Sequence, residues 1–369
     1  MSTRRRLGRR AGRRWAGVVL TVTGGVMAAF PGSLAAQLVR GEIVDALNRR
    51  PVPAAFVLLM DSAGVEAART MTDPTGRFTL RAERPGTFTL RTLVVGYQRW
   101  ESDPIVLAGG QTVEPRIELM LVRVELPAFT VEGERTCRGR PDEGAAAATL
   151  WEEIQKALAA TEWEQDARRY RFWTVTVERT LDRYAGLMSQ GEQVGTGFAS
   201  WPFGTLPPER LMTLGFVQDA PGGPIYYGPD ARVLVSEEFL AEHCFRLEKR
   251  RDADTVLVGL GFEPVAGRRI PDIKGVLWVD SATVALRRLE YHYANLPRWA
   301  PEPQVGGTVE FAQLPGGAWF IRRWRLRAPI PEVRPLRGDT VLFGYRERAG
   351  DVVEVLTGSG ESVIRFERR

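Results

Sequence analysis

From Leu38 to about Val131, apolar and polar positions alternate in short runs broken by turn residues. Leu38 to Asp45 alternates, Ala54 to Met60 is a compact apolar run, and Arg77-Phe78-Thr79-Leu80, Thr87 to Val95 and Arg116 to Leu121 follow at close spacing. A period of two puts every second side chain on one face of a pleated strand, so these runs predict strands with one buried face. A succession of them predicts a β-sandwich. Asp73-Pro74-Thr75-Gly76 is a turn by chemistry: Pro fixes φ, the Asp side chain caps the backbone and Gly accepts φ > 0; Pro85-Gly86 makes the next reversal.

A polar stretch from Glu132 to Pro141 then changes the pattern, and a domain boundary is expected near Gly133. Beyond it Leu150, Trp151, Ile154, Ala157, Leu158 and Thr161 recur at helical spacing, with Glu152, Glu153, Gln155 and Lys156 on the other side. This predicts an amphipathic helix over 145–167 whose stripe packs on a following sheet. A second, short helix is expected from Ser236 to His243, with Ser236 as cap and Glu237 and Glu238 in the first turn. The rest past Arg168 reads as antiparallel strands. Leu289, Tyr291 and Tyr293 share one face while Arg288, Glu290 and His292 share the other, and Gly275 to Asp280 precedes them across Asp280-Ser281-Ala282-Thr283. Thr308 to Leu314 and Trp319 to Arg327 are joined by Pro315-Gly316-Gly317, and Thr340 to Glu347 is expected to pair with Val352 to Thr357 across Arg348-Ala349-Gly350-Asp351. No strand-helix-strand alternation occurs, which argues against a parallel sheet. So long a meander must close or curl, and a half-barrel over the helix would cover its face.

Gly41-Glu42-Ile43-Val44-Asp45, Pro53-Ala54-Ala55-Phe56-Val57, Thr72-Asp73-Pro74-Thr75-Gly76-Arg77-Phe78, Pro85-Gly86-Thr87-Phe88 and Val95-Gly96-Tyr97 resemble, in order, the carboxypeptidase regulatory-like domain. That resemblance implies a seven-stranded transthyretin-like sandwich of the kind found in secreted bacterial proteins and outer-membrane transporters, a structural or binding module with no peptidase residues. Its matching positions are architectural; a carbohydrate platform would draw on Tyr97 and Trp100. The hairpin from Lys274 to Asp280 followed by Ala285 to Glu290 is similar in cadence to periplasmic lipoprotein-carrier half-barrels, with no functional residue carried over. The chain is therefore expected to be mainly β, with a sandwich over 37–133 and a larger β domain, opened by a helix, over 134–369.

At the N-terminus seven arginines, Arg4 to Arg14, precede an apolar run from Trp15 to Phe30 and the small residues Ser33-Leu34-Ala35-Ala36, the pattern of a signal peptide over 1–36 cut after Ala35 or Ala36. A membrane anchor is the alternative, and Arg13-Arg14 also permits a twin-arginine signal and export in the folded state. The leader carries the excess charge. Without its seven arginines, 43 basic residues face 45 acidic ones, so a general nucleic-acid footprint is not expected. No other apolar segment reaches membrane-span length, and no cysteine follows the cleavage region for lipid attachment.

Two cysteines in an exported chain predict one disulfide, Cys137 to Cys244, pinning the linker onto the second domain. Zinc on His243, Cys244, Cys137 and His292 is disfavoured because the set lacks closely spaced ligand pairs, and no metal or cofactor is expected. There is no His-Glu-x-x-His, no Gly-x-Ser-x-Gly and no phosphate loop, and Gly259-Leu260-Gly261 lacks the third glycine of a dinucleotide site, so no catalytic residue is named. The most suggestive binding feature is Trp319 to Arg327. Phe320, Trp324 and Leu326 are expected on one face with Arg322 among them, and Arg323, Arg325 and Arg327 on the other, a ladder able to hold phosphate or carboxylate. The competing reading pairs those arginines with acids such as Glu290 or Glu310. Two functions follow: a non-catalytic structural or interaction module of the cell envelope, or a periplasmic carrier or receptor for a lipid, glycan or other anionic or apolar ligand. A filled interior would favour the first and an apolar cavity between sheet and helix the second.

Overall fold

The computed structural model describes residues 37–122, 145–167, 169–198, 204–221, 223–252 and 255–367. The leader, the linker with Cys137 and the expected boundary near Gly133 lie outside them.

The first part contains β1 (Gln37–Asp45), β2 (Phe56–Asp61), β3 (Glu66–Met71), β4 (Arg77–Ala82), β5 (Gly86–Leu93), β6 (Trp100–Glu101), β7 (Ile105–Leu107), β8 (Thr112–Val113) and β9 (Arg116–Leu119). They form two sheets, β4-β1 with β8 and β9, and β3-β2-β5 with β6 and β7. Alternation drives the burial: in β4 Phe78, Leu80 and Ala82 point inward between exposed Arg77, Thr79 and Arg81, meeting Val39, Ile43, Val57, Leu59 and Leu90 from the other strands. The Asp73 turn forms as its chemistry requires. Asp73 Oδ1 accepts from Thr75 N at 2.8 Å and Arg77 N at 3.0 Å, and Gly76 takes φ +76°. Strand β3, rich in Glu, Ala and Arg, gave no apolar signal in the sequence.

Helix α1 (Ala145–Ala167) leads into β10 (Tyr170–Asp182) and β11 (Leu187–Gly197). Then come α2 (Pro208–Leu214), the small pair β12 (Val217–Gln218) and β13 (Ile225–Tyr226), α3 (Ala231–Val235) and α4 (Glu237–Glu242). The chain returns through β14 (His243–Asp252), β15 (Thr255–Pro264), β16 (Asp272–Asp280), β17 (Leu286–Ala294), β18 (Gly306–Gln313), β19 (Trp319–Arg334), β20 (Asp339–Thr357) and β21 (Ser362–Arg365). The large sheet is antiparallel in the order β11-β10-β20-β19-β18-β17-β16-β15-β14, with β21 beside β20, and it stays open between β11 and β14. One face packs on α1 to α4, burying Ile154, Leu158, Leu211, Phe239, Phe262, Leu289, Tyr291, Tyr293 and Tyr345. Among the described residues no helix is long and apolar enough to cross a membrane.

Several expectations change. Besides α1 and the Ser236-capped α4, where the Ser236 hydroxyl accepts from Phe239 N at 3.1 Å, the helices α2 and α3 were not legible as helices; each is seven residues or fewer. The hairpin expected across Arg348 to Asp351 does not form. β20 runs straight through, and the reversal lies instead between β19 and β20 at Pro335-Leu336-Arg337-Gly338, with Gly338 at φ +62°. Gly350 is glycine because the Trp324 indole crosses it: a Cβ there would stand 2.2 Å from Trp324 Nε1. Phe320 is separated from Trp324 and Leu326. A register shift at Glu310/Phe311 leaves Arg322 as the extra residue of β19, so Trp319 and Ile321 join the helical core while Phe320 packs with Phe172, Val355 and Phe366 in a cluster of its own. Glu153 and Lys156, expected on the side of the helix opposite its apolar stripe, are buried because the sandwich covers that side of α1.

Candidate functional site

The face of the large sheet turned away from the helices is a groove of about 580 Å³ bordered by β11, β10, β20, β19, β18 and β17. Cross-strand register sorts it into three rows. The first reads Arg288, Glu310, Arg323, Asp351, Val175, Val194; the second Glu290, Thr308, Arg325, Ala349, Val177, Glu192; the third His292, Gly306, Arg327, Glu347, Arg179, Gln190. Directly opposed residues share a face and stand close enough to interact, so each row is a potential side-chain ladder.

The outer rows are ion-paired ladders. Arg288 reaches Glu310 at 3.3 Å and Glu290 at 3.2 Å, and Arg323 reaches Asp351 at 3.4 Å and Glu310 at 3.7 Å. Arg322 also contacts Asp351 and lies over the Phe366 ring. In the third row Glu347 accepts from Arg327 at 2.7 Å and from Arg179 at 3.2 Å. Glu290 takes Arg250 at 3.0 Å and Trp278 Nε1 at 3.0 Å. Burial pushes its carboxyl up, but the bonds from Arg250, Trp278 and Arg288 outweigh that and hold it below its ordinary value.

The middle row is different. Arg325 is exposed, its direct neighbours are Thr308 and Ala349, and among the described residues no carboxylate pairs with it. Thr308, Ala349 and Val177, its neighbours along the row, all line the groove. Of the three arginines singled out in the sequence, the fold therefore brings all three to one face but commits Arg323 and Arg327 to acids. Thr308, Glu347, Asp351, Arg179 and Glu192 complete the site and were not singled out in the sequence, because their membership depends on the unbroken β20 and on β10 and β11 lying next to it.

The remaining candidates are structural. His243 is only 3% exposed; its Nδ1 lies 3.0 Å from Phe239 O, its Nε2 3.2 Å from Ile273 O and 3.2 Å from Asp272 Oδ1, and its ring stacks on Phe239. Asp272 also contacts Arg268, which donates to Glu242 at 2.8 Å and to Met212 O at 2.7 Å, tying α2, α4, β14 and β16 together. His292 stands apart on the grooved face. Among the described residues no group of three or more His, Cys, Asp or Glu could hold a metal ion. Cys244 is buried at the start of β14. Tyr97 and Trp100 do not make an exposed platform: both pack on the sandwich core, the Tyr97 hydroxyl donates to Asp45 Oδ2 at 3.1 Å, and burial followed by that contact pushes the phenol up to about 12.

Residues 38–120 match the model of the carboxypeptidase regulatory-like domain. No curated protein sequence matches the chain. Several solved structures are similar at low identity, three of them as follows. A Bacteroides uniformis protein provisionally described as carbohydrate binding is 10% identical, with 70% of this chain and 95% of that one covered and a TM-score of 0.20. A DUF1329 family protein from Desulfovibrio piger is 9% identical over 55% and 92%, with a TM-score of 0.24. A Bacteroides fragilis protein of unknown function, provisionally described as membrane-associated, is 10% identical over 86% and 97%, with a TM-score of 0.17.

Proposed function

We propose, taking the regulatory-like domain at residues 38–120 as the premise, that this chain is an exported, non-catalytic interaction module of a bacterial cell envelope. The arginine-rich leader over 1–36 would deliver it, and a Cys137 to Cys244 disulfide would then fasten the linker to β14. The observation that carries the reading is the asymmetry of the large sheet. Its helical face is filled by side chains of α1 to α4, whereas its opposite face, polar and arginine-rich, is left open as a groove. An apolar carrier would need the reverse, a cavity between sheet and helices, and that space is occupied by Trp151, Ile154, Leu158 and Phe239. The sandwich serves as a rigid support. It packs on α1, and Gly317 at the β18-β19 turn sits so close to Ala54 that a Cβ there would stand 2.4 Å from Ala54 Cβ.

The test is to express the full chain with a C-terminal tag in a diderm bacterium and to fractionate the cells. Intact mass should show a mature N-terminus at Ala36 or Gln37 in the periplasmic or outer-membrane fraction. An uncleaved chain confined to the cytosol would end the reading.

A further inference from the structure

We propose that β11 is a pairing edge and that its occupant is a second copy of this chain, joined antiparallel across a two-fold axis at Gln193. This goes beyond the reading above and does not depend on it.

The open sheet ends in two strands of opposite character. β14 carries Arg246, Glu248, Lys249, Arg250 and Arg251, the kind of charge that keeps a strand edge from pairing. β11 has 11 residues, all exposed, with Glu192 its one charge, no lysine and no proline. Leu187, Met188 and Val194 add apolar surface along it, 61%, 54% and 57% exposed. Among the described residues only β10 pairs with it, so the backbone groups of its outer edge are a template for another strand. The face away from the groove is open as well: a Cβ at Gly191, Gly195 or Gly197 would meet nothing within 4 Å.

Register then selects the partner. The ladder of β11 with β10 is regular from Gly197 to Ser189 and shifts only between Ser189 and Leu187. Gln193 is the centre of that regular stretch. Two copies overlapping over all of it in antiparallel order place Gln193 opposite Gln193 of the second copy, where the side-chain amides can exchange hydrogen bonds. Glu192 then faces Val194, Gly191 faces Gly195 and Gln190 faces Thr196, so no two like charges stand opposite each other. Centring the overlap on the whole strand instead would oppose Glu192 to Glu192. Facing residues share a face, so the rows of the groove that end at Val194 and Glu192 continue into the second copy's Glu192 and Val194. With β14 charged, each chain has one pairing edge, and the assembly closes at two copies instead of growing as a stack. At most 11 residues a side, against about 20–30 in a stable complex, make this a concentration-dependent dimer.

The experiment is sedimentation velocity on the full chain as purified, from about 1 to about 100 µM, which is expected to show monomer passing to dimer. Gln193→Lys sets like charges face to face on the axis and should raise the dissociation constant about tenfold or more. Val194→Lys, placed opposite Glu192, should leave the dimer in place or tighten it. Gln193 and Val194 are exposed, so neither change should alter the melting of the monomer. Covalent trapping reads the register a second way, with the native chain as control. Gln193→Cys should crosslink to itself on mild oxidation, whereas Gln190→Cys, about 20 Å from its copy in this register, should not. A chain that stays monomeric at about 100 µM, a dimer that Gln193→Lys leaves untouched or that Val194→Lys dissolves, or Gln190→Cys trapped as fast as Gln193→Cys would each overturn the assignment. So would a monomer whose Gln193→Cys variant traps a different polypeptide, which would give the edge to another chain.

Discussion

Lys156 Nζ lies 2.7 Å from Glu153 Oε1, and the two side chains, 4% and 1% exposed, are enclosed between the helix that bears them and the N-terminal sandwich. Each also bonds the sandwich backbone: Gly96 N donates to Glu153 Oε2 at 2.6 Å, and Lys156 Nζ donates to Tyr97 O at 2.7 Å. The pair thus satisfies two backbone groups that the docking of α1 would otherwise bury without partners. It makes the sandwich and the sheet one packed unit.

Removing one member of that pair leaves the other charged and buried, which costs about 3–5 kcal/mol in comparable sites. Glu153→Ala should therefore lower the unfolding free energy by about that amount in urea denaturation. Replacing both, Glu153→Leu with Lys156→Met, should cost much less than the single change. A single substitution that costs under about 1 kcal/mol would show that the interface is hydrated and the pair incidental.

Glu290 on the grooved face predicts an acid limb. Glu290 titrates from 4.5 in the unfolded chain and is held lower in the folded one, so its contribution is present above 4.5 and is lost as the pH falls through the folded value. Glu153 runs the opposite way: desolvation outweighs Lys156 and raises its carboxyl, so its contribution declines as pH rises from 4.5 toward that raised value. Glu290→Gln should accordingly flatten the loss of melting temperature below pH 4.5, and an acid limb identical to that of the native protein would contradict the assignment.

The arginine face was legible because alternation alone puts Arg323, Arg325 and Arg327 on one side of a strand. Which of them is paired was not legible. That depends on Glu347, Ala349 and Asp351 forming a continuous neighbouring strand, and the sequence Arg348-Ala349-Gly350-Asp351 carries the composition of a turn. Tertiary packing overrode it, since Trp324 occupies the space over Gly350. In the same way Glu153 and Lys156 read only as the side opposite the apolar stripe, and the sandwich covers that side. Helix periodicity reports a stripe but not a second partner on the far side.

Gly350 gives a sharp check on that packing. Gly350→Ala should force the Trp324 indole aside and destabilise by about 1–3 kcal/mol, the usual cost of overpacking. Turn chemistry would predict the reverse insensitivity, because Ala is tolerated in many loops. Thermal unfolding followed by tryptophan fluorescence distinguishes the two, and a variant with unchanged melting temperature and emission would mean that the indole does not cover this strand.

Two cysteines in an exported chain lead to an expected Cys137 to Cys244 disulfide. Cys244, 8% exposed, is the second residue of β14 and sits opposite Glu263 of β15, so a covalent tie there would hold the linker against one edge strand of the sheet. Closing a loop of roughly a hundred residues stabilises by about 4–5 kcal/mol in the chain-entropy model, and less where the geometry is strained. Cys137→Ser should then lower the melting temperature of the exported protein and leave Cys244 open to alkylation once the fold is loosened in urea, whereas the native protein should resist alkylation in urea until a reductant is added. If the unreduced native protein took up alkylating reagent in urea at both cysteines, the two thiols would be independent and the linker held by packing alone.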